Sequence, residues 1–558
     1  MVTKEKYISL MEKALSAYSD EHIEQYFNQV KTNGLKEHGF PRLTVCIGIL
    51  AAHGKRSYLL PLFCEMMEFC CKTIPTVKAA NDFSVREIIF CIMELEKYKT
   101  VDSKTIKRWK SYLTDIDPAK CYNVYAKSTD DIVYNWALFT GVSEHMRQFI
   151  GLNTTEDFVD TQVATQLAHL DENLMYKDAP IHPPMVYDLV PRVLFSMLLH
   201  FGYRGKYFNK IDECLRKTAL LTLKMQSTIG EIPFGGRSNQ FLHNEGLLAI
   251  IFEFEANRYA KEGNLQLASK FKAGVASAMA VTDYWFSKSP ILHIKNRFPL
   301  ESRYGCEDYG YFDKYMITTA SWFYGAYLMC DESIPCATQS DETETFRTSD
   351  DFHKLFIKCG GYALEFDLNA DAHYDADGLG RVHKAGAPSP ICLSLPCISS
   401  NHPNYFINAE SSDPYSLCPC IIVDGKPVFA LDGNAEYNVI SCTKDDNNAY
   451  AVIECKFADE NIMSHYTVNS GGVSIKISGS GALGFALPAF DFDGEKNTEI
   501  TCCDGSLSVM YEGWICKYTT DGPVKDLEKT VRNRNGYYKA FYAEGNKELN
   551  IKIEISKI

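Results

Sequence analysis

The chain has 558 residues, of which 46% are hydrophobic and 23% charged, a balance that excludes disordered and fibrous proteins. Its length exceeds what one hydrophobic core fills, roughly 250 to 300 residues, so two large domains are expected. A formal net charge of −14 excludes a general nucleic-acid or anionic-membrane binder, yet leaves room for a small acidic substrate in a local pocket of Arg, Lys, Asn and helix N-termini.

Glu5 and Glu12 interrupt the first residues, which do not read as a signal peptide, and no apolar run reaches the roughly 18 residues of a membrane span. A cytoplasmic protein is expected. The twenty cysteines are scattered, several in apolar runs (Cys46, Cys64, Cys91, Cys330), which predicts buried reduced thiols rather than a disulfide scaffold or a zinc ribbon.

From the start to about residue 330, apolar residues recur at spacings of three and four, as at Ile88, Ile89, Cys91, Ile92 and Leu95. Helices are predicted at 5–30, 43–53, 59–75, 84–99, 104–115, 130–150, 156–174, 186–201, 207–228, 239–262, 263–286 and 309–330. Twelve helices in antiparallel pairs give a closed (α/α)6 toroid over 1–335. A polar, acidic stretch without period then reads as a linker at 336–352. Alternating segments such as Ala449–Phe457, Val473–Ser478 and Leu549–Ile555, with turn signals at Asp424-Gly425, Asp432-Gly433 and Asn535-Gly536, predict an antiparallel β-sandwich over 353–558. The fold class is α+β multidomain.

Three stretches concentrate polar chemistry. In the first, a glycine loop (Gly235, Gly236) leads through Arg237, Asn239, Gln240, His243, Asn244 and Glu245 into an apolar helix, where free amides and the helix dipole suit an anion. If the helix starts at 239, Asn239 and His243 project from one face and reach one sugar ring. An amide and an imidazole there match β-elimination, which requires a neutralised uronate carboxylate and a base for the neighbouring C–H. The competing reading is a helix cap and a core histidine.

The second stretch holds Arg303, Tyr304, Glu307, Asp308, Tyr309, Tyr311 and Tyr315, a polar aromatic rim for sugars in which a tyrosine acts as acid or base; the alternative is a tyrosine-rich interface between domains. The third holds Asp371, His373, Asp375, Asp377, Arg381, His383 and Lys384 in a glycine-bearing loop that closes over the toroid mouth, or simply bonds the domains together. No cofactor is expected; a divalent metal near His373 and His383 is left open, the spacing not being that of a zinc site. Weaker candidates are Tyr134, Asn135 and Trp136 as cavity lining, with His182, Tyr187, Arg192, Tyr203 and Arg204. Gly479, Gly481 and Gly484 have dinucleotide spacing, but strand-like residues follow them instead of a helix.

With these stretches in place, the chain resembles the heparinase II/III group of polysaccharide lyases, which pair an α/α toroid with antiparallel β-sheets. In that group an Asn-rich helix start bearing a His, a Tyr segment with an acidic residue and a β-domain His/Asp loop recur. The resemblance implies that Asn239, His243 and Tyr309 or Tyr311 carry the elimination, and that the loop from His373 to His383 corresponds to the third element. Asn239 and Gln240 stand where the group has adjacent asparagines. The same plan occurs in glucuronidases resembling glycoside hydrolase family 154, for which Glu245, Glu307 and Asp308 furnish the two carboxylates that hydrolysis needs. The expected partner is a uronic-acid-containing oligosaccharide or polysaccharide, with no nucleic acid and no membrane; a homo-oligomer and a non-catalytic glycan-binding role stay open.

Overall fold

A computed structural model describes residues 2–178, 181–338, 342–399, 404–408, 412–431 and 435–558; the turn expected at Asp432-Gly433 lies outside them. Among the described residues fourteen α-helices precede fifteen β-strands.

Six helices, Gly39–Ala52, Asn81–Tyr98, Trp136–Phe149, Met185–His200, Asn244–Lys261 and Phe312–Met329, pack each against the next, and the last returns to the first. Their sequences say why they are inside. Gly39–Ala52 is apolar around its whole circumference and buried at every residue, the signature of a helix with no solvent face. Gly48 allows its close approach to the neighbours, since a Cβ there would stand 2.4 Å from the Phe63 ring and 2.5 Å from the Cys91 sulfur. Around this ring lie Leu60–Thr73, Ser103–Thr114, Glu156–Leu167, Phe208–Met225 and Leu265–Phe286, each packed on the inner helix before it, while the first helix, Lys4–Leu15, closes the sixth pair on Phe312–Met329. Outer helices are amphipathic: Ser103–Thr114 buries only Ile106, Trp109 and Leu113. The result is the expected (α/α)6 toroid.

All twelve predicted helices are present, though that expected at 130–150 begins at Trp136 and that at 156–174 ends at Leu167, and the first span needs a correction. The span 5–30 is two helices, Lys4–Leu15 and Asp20–Asn33, broken where the Ser19 side chain accepts from the His22 amide and Asp20 and Glu21 face the new N-terminus. A four-residue helix, Pro118–Cys121, is additional.

The β part has two sheets, all pairs antiparallel. Glu344–Arg347, Lys354–Cys359, Tyr362–Asp367 and Gly378–Lys384 form a four-stranded sheet in chain order. Its first strand falls inside the span read as linker: Thr343 to Thr348 is polar enough to look like coil, but Phe346 stacks on Phe356 across the pair. The second sheet has eleven strands built on two long ones, Gly472–Phe492 and Gly536–Lys557. Leu355, Ile357, Leu364 and Val382 of the small sheet share one core with Ile475, Ile477, Ile551 and Ile553 of the large one, as a sandwich requires. Asp424 and Gly425 both take positive φ in a two-residue hairpin between Val423 and Lys426, as their sequence predicts. At the other signal the turn residues are Arg534 and Asn535, because Asn533 pairs with Gly536. The stretch with dinucleotide spacing lies within strand Gly472–Phe492. Cys46, Cys91 and Cys330 are buried and Cys64 half-buried; all twenty thiols are free. No helix among the described residues is long and apolar enough to cross a membrane.

Ring closure also uses charge. Glu253 on Asn244–Lys261 accepts from Lys272 at 2.8 Å and from the Tyr7 hydroxyl of the first helix at 2.9 Å, both ionic side chains being at most 1% exposed. Lys272→Met strands a buried carboxylate and is expected to cost about 3–5 kcal/mol. Pairing it with Glu253→Gln is expected to recover most of that loss, as read from denaturant midpoints of the two variants and the parent.

Candidate active site

A cavity of about 640 Å³ opens where the inner helices begin. Every one of the six contributes from its first turns or the residue just before it: Arg42, Phe83, Trp136, Tyr187, His243 and Tyr315 are examples. Alternating inner and outer helices makes the inner six run the same way, so six positive dipole ends converge on one mouth. Trp136, Phe83, Phe139 and Trp322 supply apolar surface, and Asn123 and Asn135 amides.

The glycine loop crosses this mouth. Gly235, Gly236 and Ser238 have φ of 143°, 72° and 60°; the first two suit glycine, whereas Ser238 holds a strained left-handed conformation. The helix beyond begins at Asn244, which corrects the expected start at 239: Asn239 and His243 lie in turns, not one helical face apart. The reason is Asn244, whose Nδ2 donates to the carbonyls of Ser238 (2.9 Å) and Asn239 (2.8 Å) and folds the loop back on itself. Asn239 is buried, does not line the cavity, and donates to the Pro233 carbonyl at 3.0 Å. Gln240 is buried, its backbone carbonyl accepting from Lys295.

Arg237 does reach the cavity. Its guanidinium stacks 4.4 Å from the Tyr187 ring centre and pairs with Asp178, which also accepts from Asn135 at 2.6 Å. Beside it Ser238 Oγ shares hydrogen bonds with Tyr309 (2.8 Å) and Tyr187 (3.2 Å). His243 is stacked with Phe241 and Tyr315; its Nδ1 is buried without a partner, and Nε2 is the nitrogen open to the cavity. Burial, reinforced by Arg42, Lys295 and His293, lowers its pKa to about 3, so the imidazole is neutral. Burial, with Tyr187 and Glu307 adding to it, raises Tyr309 far above the usual phenol range and keeps it protonated.

Several wall residues were not singled out by the sequence. Arg42 donates to both Glu87 oxygens (3.1 and 3.0 Å), to Thr318 at 2.5 Å, and faces His38 at 3.0 Å. Its signal was a lone charge inside an apolar helix. Lys36 and Lys314 have no ion-pair partner among the described residues. Burial, then Arg42 and Lys314, push His38 well below the usual imidazole value. The wall thus carries Lys36, Arg42, Arg237 and Lys314 against one carboxylate, Glu37.

Of the expected site residues, Arg237, His243, Tyr309, Asn135 and Trp136 meet in the cavity, with Tyr187 from the weaker set. The others are elsewhere. Glu245 is fully buried against Lys295 at 2.7 Å. Glu307 pairs with Arg534 at 2.7 Å and accepts from the Ser238 amide, behind the wall. Asp308 is on the surface with a side chain 90% exposed, and Tyr311 is half exposed against Arg303. Tyr304 is buried, stacked on Phe298 and donating to the Asn533 carbonyl, which is the interdomain role weighed against a sugar contact. Arg192 is locked to Asp188 (2.5 Å) and Thr222 in the ring. Arg381 pairs with Glu365 at 3.0 Å, and His383 sits between Ser227 and Ser389, both in the interface of the two halves. His373 is partly exposed beside Asp371, away from His383. Among the described residues no group of three or more His, Cys, Asp or Glu side chains is arranged around a common metal position.

No protein-family profile and no curated protein matches this chain. Among solved structures, a variant of chondroitin AC lyase from Streptomyces coelicolor A3 superposes over 98% of this chain and 82% of its own, with a TM-score of 0.50 and 9% identity. A heparinase III covers 93% and 78% with a TM-score of 0.48 and 11% identity, and a Paenibacillus xanthan lyase 92% and 53% with 0.45 and 8%. In architecture, a helical toroid followed by antiparallel β-sheets, the chain has the fold of the chondroitin AC lyase, as its resemblance to the heparinase II/III group implied.

Proposed function

We propose that the chain cleaves glycosidic bonds next to uronic acids in an anionic oligosaccharide or polysaccharide, by β-elimination in this cavity. The observation that carries the reading is the sign of the wall: four cations and one carboxylate at six helix N-termini, in a chain of net charge −14. Such a wall takes an anion. A uronate carboxylate set against Arg237 and Lys314 loses the charge that would repel a forming carbanion, and the C5–H beside it becomes acidic.

His243 is then the base. It is neutral, its Nε2 is open, and a bound carboxylate strengthens its hold on a proton. Tyr309, protonated and tied to Ser238, supplies a proton to the departing glycosidic oxygen. C5–H and C4–O break, C4=C5 forms, and the products are one unsaturated uronate and one new reducing end. Hydrolysis would need two carboxylates flanking the bond. Among the described residues Glu37 is the one carboxylate that lines the cavity, and it is engaged by the Gly39 amide at 2.6 Å and by the Tyr26 hydroxyl. The fold shared with a chondroitin AC lyase agrees with this reading.

Incubation with a panel of uronic-acid oligosaccharides is expected to release reducing ends together with the ultraviolet absorbance of an unsaturated uronate; reducing ends without absorbance would mean hydrolysis and sink the elimination. His243→Ala is expected to lower kcat by about 10²–10⁴-fold while the affinity for the uronate stays within a few fold. Because His243 titrates at about 3, kcat/KM is expected to show no acid limb near the ordinary imidazole value; a limb centred there would remove His243 from the role of base.

A further inference from the structure

The loop that presents Arg237 and Ser238 is held from behind in an unusual way. Three alternate backbone amides, of Phe234, Gly236 and Ser238, each donate to a buried carboxylate: Glu365 at 3.0 Å, Asp375 at 2.7 Å, and Glu307. Glu365 lies on strand Tyr362–Asp367 and Asp375 just before strand Gly378–Lys384, so two of the three belong to the β half. The β half also supplies the balancing cations: Arg381 at 3.0 Å from Glu365, Arg534 at 2.7 Å from Glu307, and Lys354, paired with Asp367 at 2.5 Å, beside Asp375.

This arrangement is expensive as mere scaffolding. One oxygen of Glu365 and one of Glu307 are buried without a hydrogen-bond partner, and Ser238 is held at positive φ. The loop is also packed too closely for side chains at these positions: a Cβ on Gly236 would stand 2.9 Å from Pro184, and one on Gly235 would stand 2.8 Å from Met185 and 3.2 Å from Lys354. Fixing the amides on both sides of Arg237 fixes where its guanidinium stands.

We infer that Asp375, Glu307 and Glu365 are positioning residues that act through the loop backbone to hold Arg237 at the cavity wall, so that the β half sets the preference of the helical site for a carboxylate-bearing sugar. This rests on the function proposed above. None of the three lines the cavity, and Asp375 is the clearest probe because it grips the residue next to Arg237.

The test compares binding of a glucuronate-containing disaccharide with that of its carboxyl-reduced counterpart, by calorimetry on the full chain. The parent is expected to prefer the uronate. Asp375→Ala, and Asp375→Leu, which keeps the volume, are expected to cut that preference about tenfold, the worth of one charge-assisted hydrogen bond. Asp375→Asn, whose amide oxygen still accepts from Gly236, is expected to restore most of it. A folded Ala or Leu variant with the parent's preference overturns the positioning role, as does an Asn variant that falls as far as Ala. A parent with no preference for the uronate overturns the proposed function itself, and this inference with it.

Discussion

The common direction of the six inner helices is the constraint from which the site follows. Once each inner helix is paired with an outer one running back, all six N-termini must gather at one mouth and all six C-termini at the other. The first mouth is positive before any side chain is added. Placing Arg42, Arg237 and Lys314 there as well runs against the dipoles, and the fold offsets it with carboxylates set behind two of those cations: Glu87 behind Arg42 and Asp178 behind Arg237. At the opposite mouth the cations meet no such conflict. Arg258 and Lys261 lie in the last turn of Asn244–Lys261, where they complement the negative end.

Buried charge therefore has two uses in this protein, and burial alone does not tell them apart. Glu253 with Lys272 and Glu245 with Lys295 join elements, Asp188 with Arg192 pairs within helix Met185–His200, and none of these six residues lines the cavity. Arg42 and Arg237 are also paired yet line the cavity, Arg42 buried and Arg237 with a third of its side chain exposed. What distinguishes the second group is its place in the cavity wall at the helix starts.

This explains how much could be read from the sequence. The toroid was legible because helices such as Gly39–Ala52 are apolar all round and outer ones such as Ser103–Thr114 on a single face, a difference of pattern that needs no tertiary knowledge. The β-sandwich was legible from period two, as in Ala449–Phe457. In the site, Arg237, His243 and Tyr309 were legible because they sit in loops, where polar side chains have no helical core to serve. Arg192, Glu245, Arg381 and His383 looked equivalent in sequence, because a structural ion pair and a functional group use the same residue types. Arg42 and Lys314 were missed since only ring closure brings residues so far apart to one wall. Asn244 shows the finest failure: a side chain bonding two carbonyls moved the helix start by five residues from 239, and with it the face on which Asn239 points.

The closing contact between the first helix and the last inner one has a consequence for how the molecule comes into being. A ring whose two ends are Lys4–Leu15 and Phe312–Met329 leaves apolar inner-helix surface uncovered until it closes, because an inner helix such as Gly39–Ala52 has no solvent face to present while a neighbour is missing. During synthesis an emerging inner helix can pair with the outer helix that follows it, but the ring cannot close until the last of the six has left the ribosome, and apolar surface left uncovered until then is open to aggregation. Even then the mouth is unfinished. Arg534, the partner of Glu307 beneath the site loop, is made only after all six inner helices. Cleaving activity of the kind proposed would thus need Arg534 as well as the closed ring, and a nascent chain that stops short of it would lack the ion pair beneath the site loop.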